Sequence, residues 1–166
     1  MVAKAIQGLV PFKELGLPDL RNLEREFRRE SLPEIEQADS LEEAIVLLET
    51  HMGFLESDML FVPKSSPIGT IKIMRNSLSH IVEKRLDARE RYIHLALDTL
   101  ENPYEVWETM YDDDMVRYLF IGAYSQKRQM LVVVAPWEGK MLWNFMHTDA
   151  RSLNKHRQGN LLYKRH

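Results

Sequence analysis

The chain has 166 residues, 45% of them apolar, with a formal net charge of −3 and no cysteine. This length suits one ordinary domain, or a small domain with a subdomain, and the lack of cysteine excludes disulfides, thiolate metal sites and a cysteine nucleophile. No apolar run approaches the roughly 20 residues of a membrane span, and the N-terminal apolar stretch is too short for a secretory signal, so we expect a cytoplasmic protein.

Charge is distributed unevenly along the chain. Residues 1–66 hold 7 Lys/Arg against 13 Asp/Glu, and residues 67–114 hold 6 against 10. Residues 115–166 hold 9 against 2, a balance of +7. An acidic front and a basic back predict that only the last third faces a polyanion. The alternative is a basic segment that is merely solvated.

The first third of the sequence predicts helices. Pro18 sits just inside a helix start, and apolar residues recur at helical spacing to about residue 29. A second helix is predicted after Ser40, with Glu43 completing a capping box and Gly53 at its end.

Residues 53–69 contain two prolines, Pro63 and Pro67, and are interpreted as an extended linker. We therefore predict two units: an acidic helical N-terminal subdomain over 1–66 and a second domain over 67–166.

The second domain begins with a strand at 70–74 and helices at about 76–85 and 88–100. The period then changes from helical to alternating, which predicts four strands and, near the end, a short helix and an edge segment. Their ranges are 104–111, 115–124, 128–136 and 140–147, then 151–157 and 160–163. Helices followed by consecutive strands with tight turns predict an α+β fold: a four-stranded antiparallel sheet with helices packed on one face.

The segment 146–163 is rich in cationic and hydroxyl side chains and has one acidic residue, Asp149. Such a cluster suits an anion such as phosphate better than a metal ion. Its candidate site residues are His147, Thr148, Lys155, His156 and Arg157. Residues 155–157 could instead be a helix end that carries favourable positive charge.

Two further candidates lie outside that segment. His80 borders the apolar face of a predicted helix and titrates near neutral pH, which suits a general acid or base, although a satisfied structural histidine is the alternative. Arg117 alternates with Tyr118 on the second of the four strands, so one of the two faces the core or a cleft; a surface arginine is the alternative.

Several motifs occur in a characteristic order: H-I-V-E-K-R at 80–85, E-N-P-Y-E-V-W at 101–107, R-Y-L-F at 117–120, L-V-V-V at 131–134 and N-K-H-R-Q-G-N-L-L-Y at 154–163, preceded by T-D at 148–149. This order resembles the phage-associated branch of the barnase/EndoU/colicin/RelE-like (BECR) nuclease superfamily. The resemblance covers about residues 70–163. Members of that superfamily are expected to be metal-independent ribonucleases with helices before a four-stranded antiparallel sheet.

The resemblance implies a catalytic set of His80, Arg117, Thr148 and Arg157, with no metal and no cofactor. It implies structural roles for Trp107, Gly159 and Tyr163. Substrate contacts are expected from His147, Lys155, His156, Lys127 and Tyr163. One departure concerns Thr148: an aromatic residue is expected just before it, whereas His147 stands there and Phe145 lies three residues earlier.

These observations predict an RNA endonuclease, with a tRNA-cleaving toxin or effector as one form, that uses the RNA 2′-hydroxyl as nucleophile. Its expected partners are RNA, including tRNA, and an immunity or delivery protein, without a membrane. A catalytically inactive RNA-binding or phage structural or packaging module is the alternative, because a fold can persist without its activity. A third class is an adaptor that acts through the acidic residues 1–66.

Overall fold

The computed structural model describes residue 6 and residues 8–166. These residues form seven strands and four α-helices, joined by short 3₁₀ turns. The strands are β1 (Phe61–Ser66), β2 (Gly69–Met74), β3 (Glu105–Met110), β4 (Val116–Gly122), β5 (Gln129–Ala135), β6 (Met141–Thr148) and β7 (Asn160–Lys164). The helices are α1 (Leu41–Met52), α2 (Leu78–Val82), α3 (Ile93–Glu101) and α4 (Ala150–Asn154).

All seven strands belong to one sheet, in the order β1-β2-β6-β5-β4-β3-β7. The four predicted strands are its antiparallel centre, β3 to β6. The α+β class is confirmed, but the four-stranded antiparallel sheet is wrong in extent: β1, β2 and β7 extend it to seven strands, and β2 pairs with β6 in parallel.

Strand β1 was missed because its prolines indicated a linker. Pro63 lies in an edge strand, where its missing N–H can face away from the sheet. Pro67 lies in the turn of the β1–β2 hairpin, whose last pair is Ser66 with Gly69.

Both faces of the sheet are covered, because most residues on both sides of its central strands are apolar. One core contains α1, α2 and α3 with residues such as Phe120 and Val132. The other contains Leu119 and Val133, their neighbours on the same strands, and is closed by residues 12–27 and α4. The prediction of helices on one face is therefore correct for α1–α3 and wrong for α4.

The helix predicted over 18–29 is absent. Two 3₁₀ turns, Leu20–Asn22 and Arg25–Phe27, replace it, and Asp19 caps the first of them by accepting from the Arg21 amide. The apolar residues of this segment are spaced by three and four, but they pack on the sheet from a largely extended chain. Helix α1 is as predicted: the Ser40 hydroxyl accepts from the Glu43 amide, and Gly53 ends the helix with φ 98°.

Residues on both sides of position 66 share one core. Leu48 and Met52 of α1 belong to the same buried cluster as Ile71 and Ile73 of β2, and the β1–β2 hairpin crosses the predicted boundary. The division into units 1–66 and 67–166 remains a prediction. No helix in the described part of the chain is long and apolar enough to cross a membrane.

Candidate active site

A cavity of about 470 Å³ opens beside strands β4–β6 and is called the cleft below. It is bounded by α2 and the segment after it, by the β3–β4 turn and by the β5–β6 hairpin. Its lining residues are His80, Glu83, Lys84, Arg89, Tyr111, Asp113, Arg117, Val133, Trp137, Trp143, Asn144 and Met146. The fold thus brings together cationic, aromatic and proton-transferring side chains from positions 80 to 146.

Arg117 reaches this cleft from the middle of the sheet. Its side chain is only 4% exposed, and its Nη2 donates to Asp113 Oδ2 at 2.9 Å. Its guanidinium lies over the rings of Tyr111 and Trp137, at 4.8 Å and 5.1 Å from their centroids. Its Nε is buried without a hydrogen-bond partner. A buried N–H left unpaired costs free energy, and the only other buried unpaired side-chain atom among the described residues is Oγ1 of Thr109, the residue opposite Arg117 on β3.

His80 stands on α2 at the mouth of the cleft and is 36% exposed. Its ring lies 4.2 Å from that of Trp143, tilted by 31°, and its Nδ1 lies 3.5 Å from Glu83 Oε1. The indole and the carboxylate restrict the orientation of the imidazole while leaving it open to solvent. An oriented imidazole beside a carboxylate can take and give protons.

A second arginine is held in the same cleft. Arg89 donates from Nη1 to Asn144 Oδ1 at 2.7 Å, and its side chain is 13% exposed. Lys84 lines the same cavity and is exposed. Together with Arg117 they bring three positive charges to the cleft, against the carboxylates of Glu83 and Asp113 in its lining and of Asp87, which lies 3.3 Å from Arg89.

Thr148 and its neighbours lie elsewhere. Lys127, His147 and Thr148 line a separate cavity of about 290 Å³, together with Arg128 and Asp149. Arg128 bridges Tyr92 and His147, with its Nη1 at 2.5 Å from the Tyr92 hydroxyl and 3.3 Å from the imidazole. Burial, followed by the charges of Arg128 and Arg91, lowers the pKa of His147.

Arg157 is buried inside the protein. Neither Arg157 nor its partner Glu105 has any exposed side-chain surface. Nε and Nη2 of Arg157 donate hydrogen bonds of 2.6 Å and 2.8 Å to the Glu105 carboxylate. The remaining nitrogen, Nη1, donates to the Pro18 carbonyl and to Asn154, and the Phe12 ring covers the guanidinium. Arg157 therefore forms a buried ion pair, and all three of its nitrogens donate to acceptors inside the protein.

The other three predicted contact residues are dispersed. Lys155 directly follows α4 and is exposed. His156 is next to it, and burial of the imidazole, together with the nearby charge of Lys155, lowers the pKa of His156. Tyr163 lies on β7, where it pairs with Val106 of β3 and packs against the core. This placement is compatible with the structural role that the resemblance implied for it.

The structure therefore brings His80 and Arg117 into one cleft and leaves Thr148 and Arg157 out of its lining. The expectation that all four residues converge is met for only two of them. Arg157 lies outside the cleft because it pairs with the buried carboxylate of Glu105. The two residues are 52 positions apart in the chain, so sequence spacing could not reveal this pairing. Whether each of the four residues takes part in the reaction remains a prediction.

Sequence reasoning missed Arg89, Trp137 and Trp143. Arg89 follows Ala88, whose φ of 42° is unusual for a residue with a side chain. Trp137 precedes two left-handed residues of the β5–β6 hairpin turn, Glu138 and Gly139. The sequence offered one indication of these residues, an aromatic side chain next to a turn. That indication is weak, because most tryptophans pack in the hydrophobic core.

Among the described residues, no group of three or more histidine, aspartate or glutamate side chains is arranged to hold a metal ion. The cleft combines an imidazole, a carboxylate and two arginines, the groups that phosphodiester cleavage by proton transfer and charge stabilisation requires.

An α+β fold whose sheet carries such a cleft defines a candidate phosphodiester-cleaving domain. The sequence profile of one protein family, phage-Barnase-EndoU-ColicinE5/D-RelE like nuclease2, matches residues 61–164. That range runs from the first residue of β1 to the last residue of β7 and is more than half of the chain. The chain therefore belongs to this nuclease family, as the order of its motifs predicted. No curated protein and no solved structure matches it significantly.

Proposed function

We propose that this protein is an RNA endonuclease that needs no metal ion and acts at the cleft. The RNA 2′-oxygen attacks the adjacent phosphorus, the bond from phosphorus to the 5′-oxygen breaks, and the products are a 2′,3′-cyclic phosphate and a 5′-hydroxyl. Membership of a nuclease family supports phosphodiester cleavage as the activity. The choice of RNA and of this route is our proposal.

The cleft supplies a group for each step of that reaction. Glu83 takes the proton of the 2′-hydroxyl, and protonated His80 gives a proton to the leaving 5′-oxygen. Arg117 and Arg89, which both line the cleft, bind the phosphoryl oxygens and stabilise the charge that develops on them. His147, a substrate contact expected from the sequence, lines another cavity and takes no part in this scheme.

One observation carries the proposal: His80 and Arg117 line the same cleft, and Arg117 is 4% exposed with an unpaired Nε. An arginine is costly to bury with a donor unused. A phosphate in the cleft would neutralise the charge of this guanidinium beside a histidine that can transfer protons.

The test is cleavage of total RNA and of purified tRNA in EDTA, with the ends of the fragments identified. We expect fragments with 2′,3′-cyclic phosphate ends and no cleavage of DNA, which lacks the attacking hydroxyl. His80→Ala should lower the rate by about 100-fold or more at an unchanged thermal midpoint. His166→Ala, at the exposed C-terminus, is the matched control and should retain full activity.

Strict dependence on magnesium or manganese would overturn the mechanism. RNA binding without cleavage would favour the inactive RNA-binding or packaging module. Binding of a protein through residues 1–66 with no RNA affinity would favour the adaptor. If tRNA is cut, we propose a toxin or effector with an immunity or delivery protein as its partner.

A further inference from the structure

The cleft has more aromatic surface than phosphate chemistry needs. Tyr111, Trp137 and Trp143 all line it, and none of them is fully buried. The rings of Trp137 and Trp143 meet edge to face, with centroids 5.1 Å apart and planes at 86°. A half-exposed aromatic cluster beside arginines matches proteins that stack unpaired bases.

Each of these three rings also packs against a neighbouring side chain of the cleft. Trp143 lies 4.2 Å from His80 and orients it. Tyr111 covers the guanidinium of Arg117 from the β3–β4 turn. Trp137 differs because it stands on the β5–β6 hairpin at the rim of the cleft.

Trp137 lies near both the phosphate site and the solvent. Its centroid is 5.1 Å from the guanidinium carbon of Arg117, and its side chain is half-buried. A phosphate bound by Arg117 would therefore place the base of the same nucleotide within reach of the indole.

We infer that the cleft accepts an unpaired nucleotide, whose base stacks on Trp137 while its phosphate binds Arg117. Bases inside a duplex are stacked on both faces and cannot reach such a ring, so the substrate class is single-stranded RNA and the loops of folded RNA. The inference rests on the proposed function, since it names the substrate class of the same site. It assigns Trp137 as the residue that determines this preference.

The closing experiment measures binding, so that it does not depend on cleavage. The probe is a fluorescently labelled 2′-O-methyl RNA hexamer, which has no attacking hydroxyl, used alone or annealed to its complement. We expect the single strand to bind at least ten-fold more tightly than the duplex. Trp137→Leu should weaken single-strand binding by about 5- to 150-fold, the range for losing one base stack, and should leave duplex binding unchanged.

Three variants make the result specific. Trp137→Phe keeps an aromatic face and should retain most of the affinity. Trp137→Leu keeps apolar bulk without that face, and thermal melts of both variants show whether the hairpin is intact. Phe61→Ala removes an exposed aromatic residue on β1, away from the cleft, and should change nothing.

A matched chemical change tests contact with the base directly. Hexamers with an abasic residue at each position in turn should include one that binds wild-type protein weakly. In Trp137→Leu that hexamer should show little further loss, because the stack is already gone.

Equal affinity for single strand and duplex, or an unchanged affinity in Trp137→Leu, would overturn the inference and leave the nuclease proposal standing. Selective single-strand binding that depends on Trp137, with no cleavage of any unmodified RNA, would support the inference and overturn the nuclease. If Trp137→Leu does not fold, equal affinities of wild type and Trp137→Phe for intact and abasic hexamers would contradict it.

Discussion

Two buried arginines, Arg117 and Arg157, differ in how completely their nitrogens are hydrogen-bonded. All three nitrogens of Arg157 donate to protein acceptors, whereas Nε of Arg117 has none. Both arginines were predicted to be catalytic, and burial alone does not separate them. Their surroundings do, because Arg117 lines the cleft whereas every nitrogen of Arg157 is paired inside the protein.

Arg157→Ala should destabilise the protein strongly. It would leave the carboxylate of Glu105 buried without a cation, which typically costs about 3–5 kcal/mol. Urea unfolding followed by circular dichroism measures this loss. Arg151→Ala, an exposed arginine on α4, is the control and should change little. If the Arg157→Ala variant is as stable as the wild type but has lost nuclease activity, Arg157 takes part in catalysis after all.

Asp113→Asn should strengthen RNA binding. The Asp113 carboxylate occupies Nη2 of Arg117 in the cleft and repels an incoming phosphate. Removing one unit charge at about 4 Å in water-like surroundings is worth ~1 kcal/mol, or about five-fold in affinity. Fluorescence anisotropy with a labelled RNA measures it.

The control for that change is Asp114→Asn in the same turn, which removes the same charge at an exposed position. Asparagine tolerates the left-handed backbone there, where φ is 62°. If Asp113→Asn weakens binding instead, the carboxylate holds Arg117 in position for the substrate.

At the scale of elements, two predicted motifs meet in space. Strand β3 carries Glu105 and Trp107, and the segment before β7 carries Arg157 and Gly159. The Trp107 indole N–H donates to Glu105 Oε1, the same oxygen that accepts from Arg157 Nε. The two motifs therefore form one buried network that holds α4 and β7 on the sheet and supports the cleft only indirectly.

Gly159→Ala should disrupt the pairing of β7 with β3. A Cβ at this position would lie 2.3 Å from the Glu108 carbonyl oxygen, and its φ of 108° disfavours any side chain. Gly139→Ala is the matched control: its φ is 88°, but no atom lies within 4 Å of the added Cβ. It should lose only about 1–2 kcal/mol, the cost of a left-handed residue with a side chain.

The measurement is the thermal midpoint of both variants. Gly159→Ala should melt well below Gly139→Ala, because backbone strain and a clash with main chain add. Equal midpoints would show that β7 shifts away from β3 at little cost.

At the scale of the whole molecule, three of the six histidines influence how stability depends on pH. Burial lowers the pKa of His94, His147 and His156, and the neighbouring charge of His51, Arg128 or Lys155 adds to it. A histidine with a lowered folded pKa binds protons more readily when the chain is unfolded. Its neutral form stabilises the fold above its ordinary pKa of about 6.5, and this contribution is lost as pH falls below that value.

The free energy of unfolding should therefore fall between pH 7.5 and pH 5.5. The His156→Gln variant lacks one of the histidines with a lowered pKa, so its free energy of unfolding should change less between the two pH values. The His166→Gln variant, changed at the exposed C-terminus, should behave like the wild type. Urea midpoints at the two pH values measure it. A stability that rises toward pH 5.5 would contradict this account.

The sequence by itself determined the α+β class and the family. Short apolar runs bounded by turn signals reveal β3 to β6, because such patterns depend only on local order, and the motif order predicted the nuclease family that the profile match confirmed. His80 and Arg117 were predicted from residue type and position, and both line the cleft.

Only the tertiary structure decided which charged residues are structural and which line the cleft. The pairing of Arg157 with Glu105, the inclusion of Pro63 in an edge strand, and the placement of Trp137 beside Arg117 all depend on contacts between distant segments. Burial and hydrogen-bond satisfaction are properties of packing, which local patterns do not encode. The role of a charged side chain follows from them, and so it became visible only when the sheet and its two covering layers were in place.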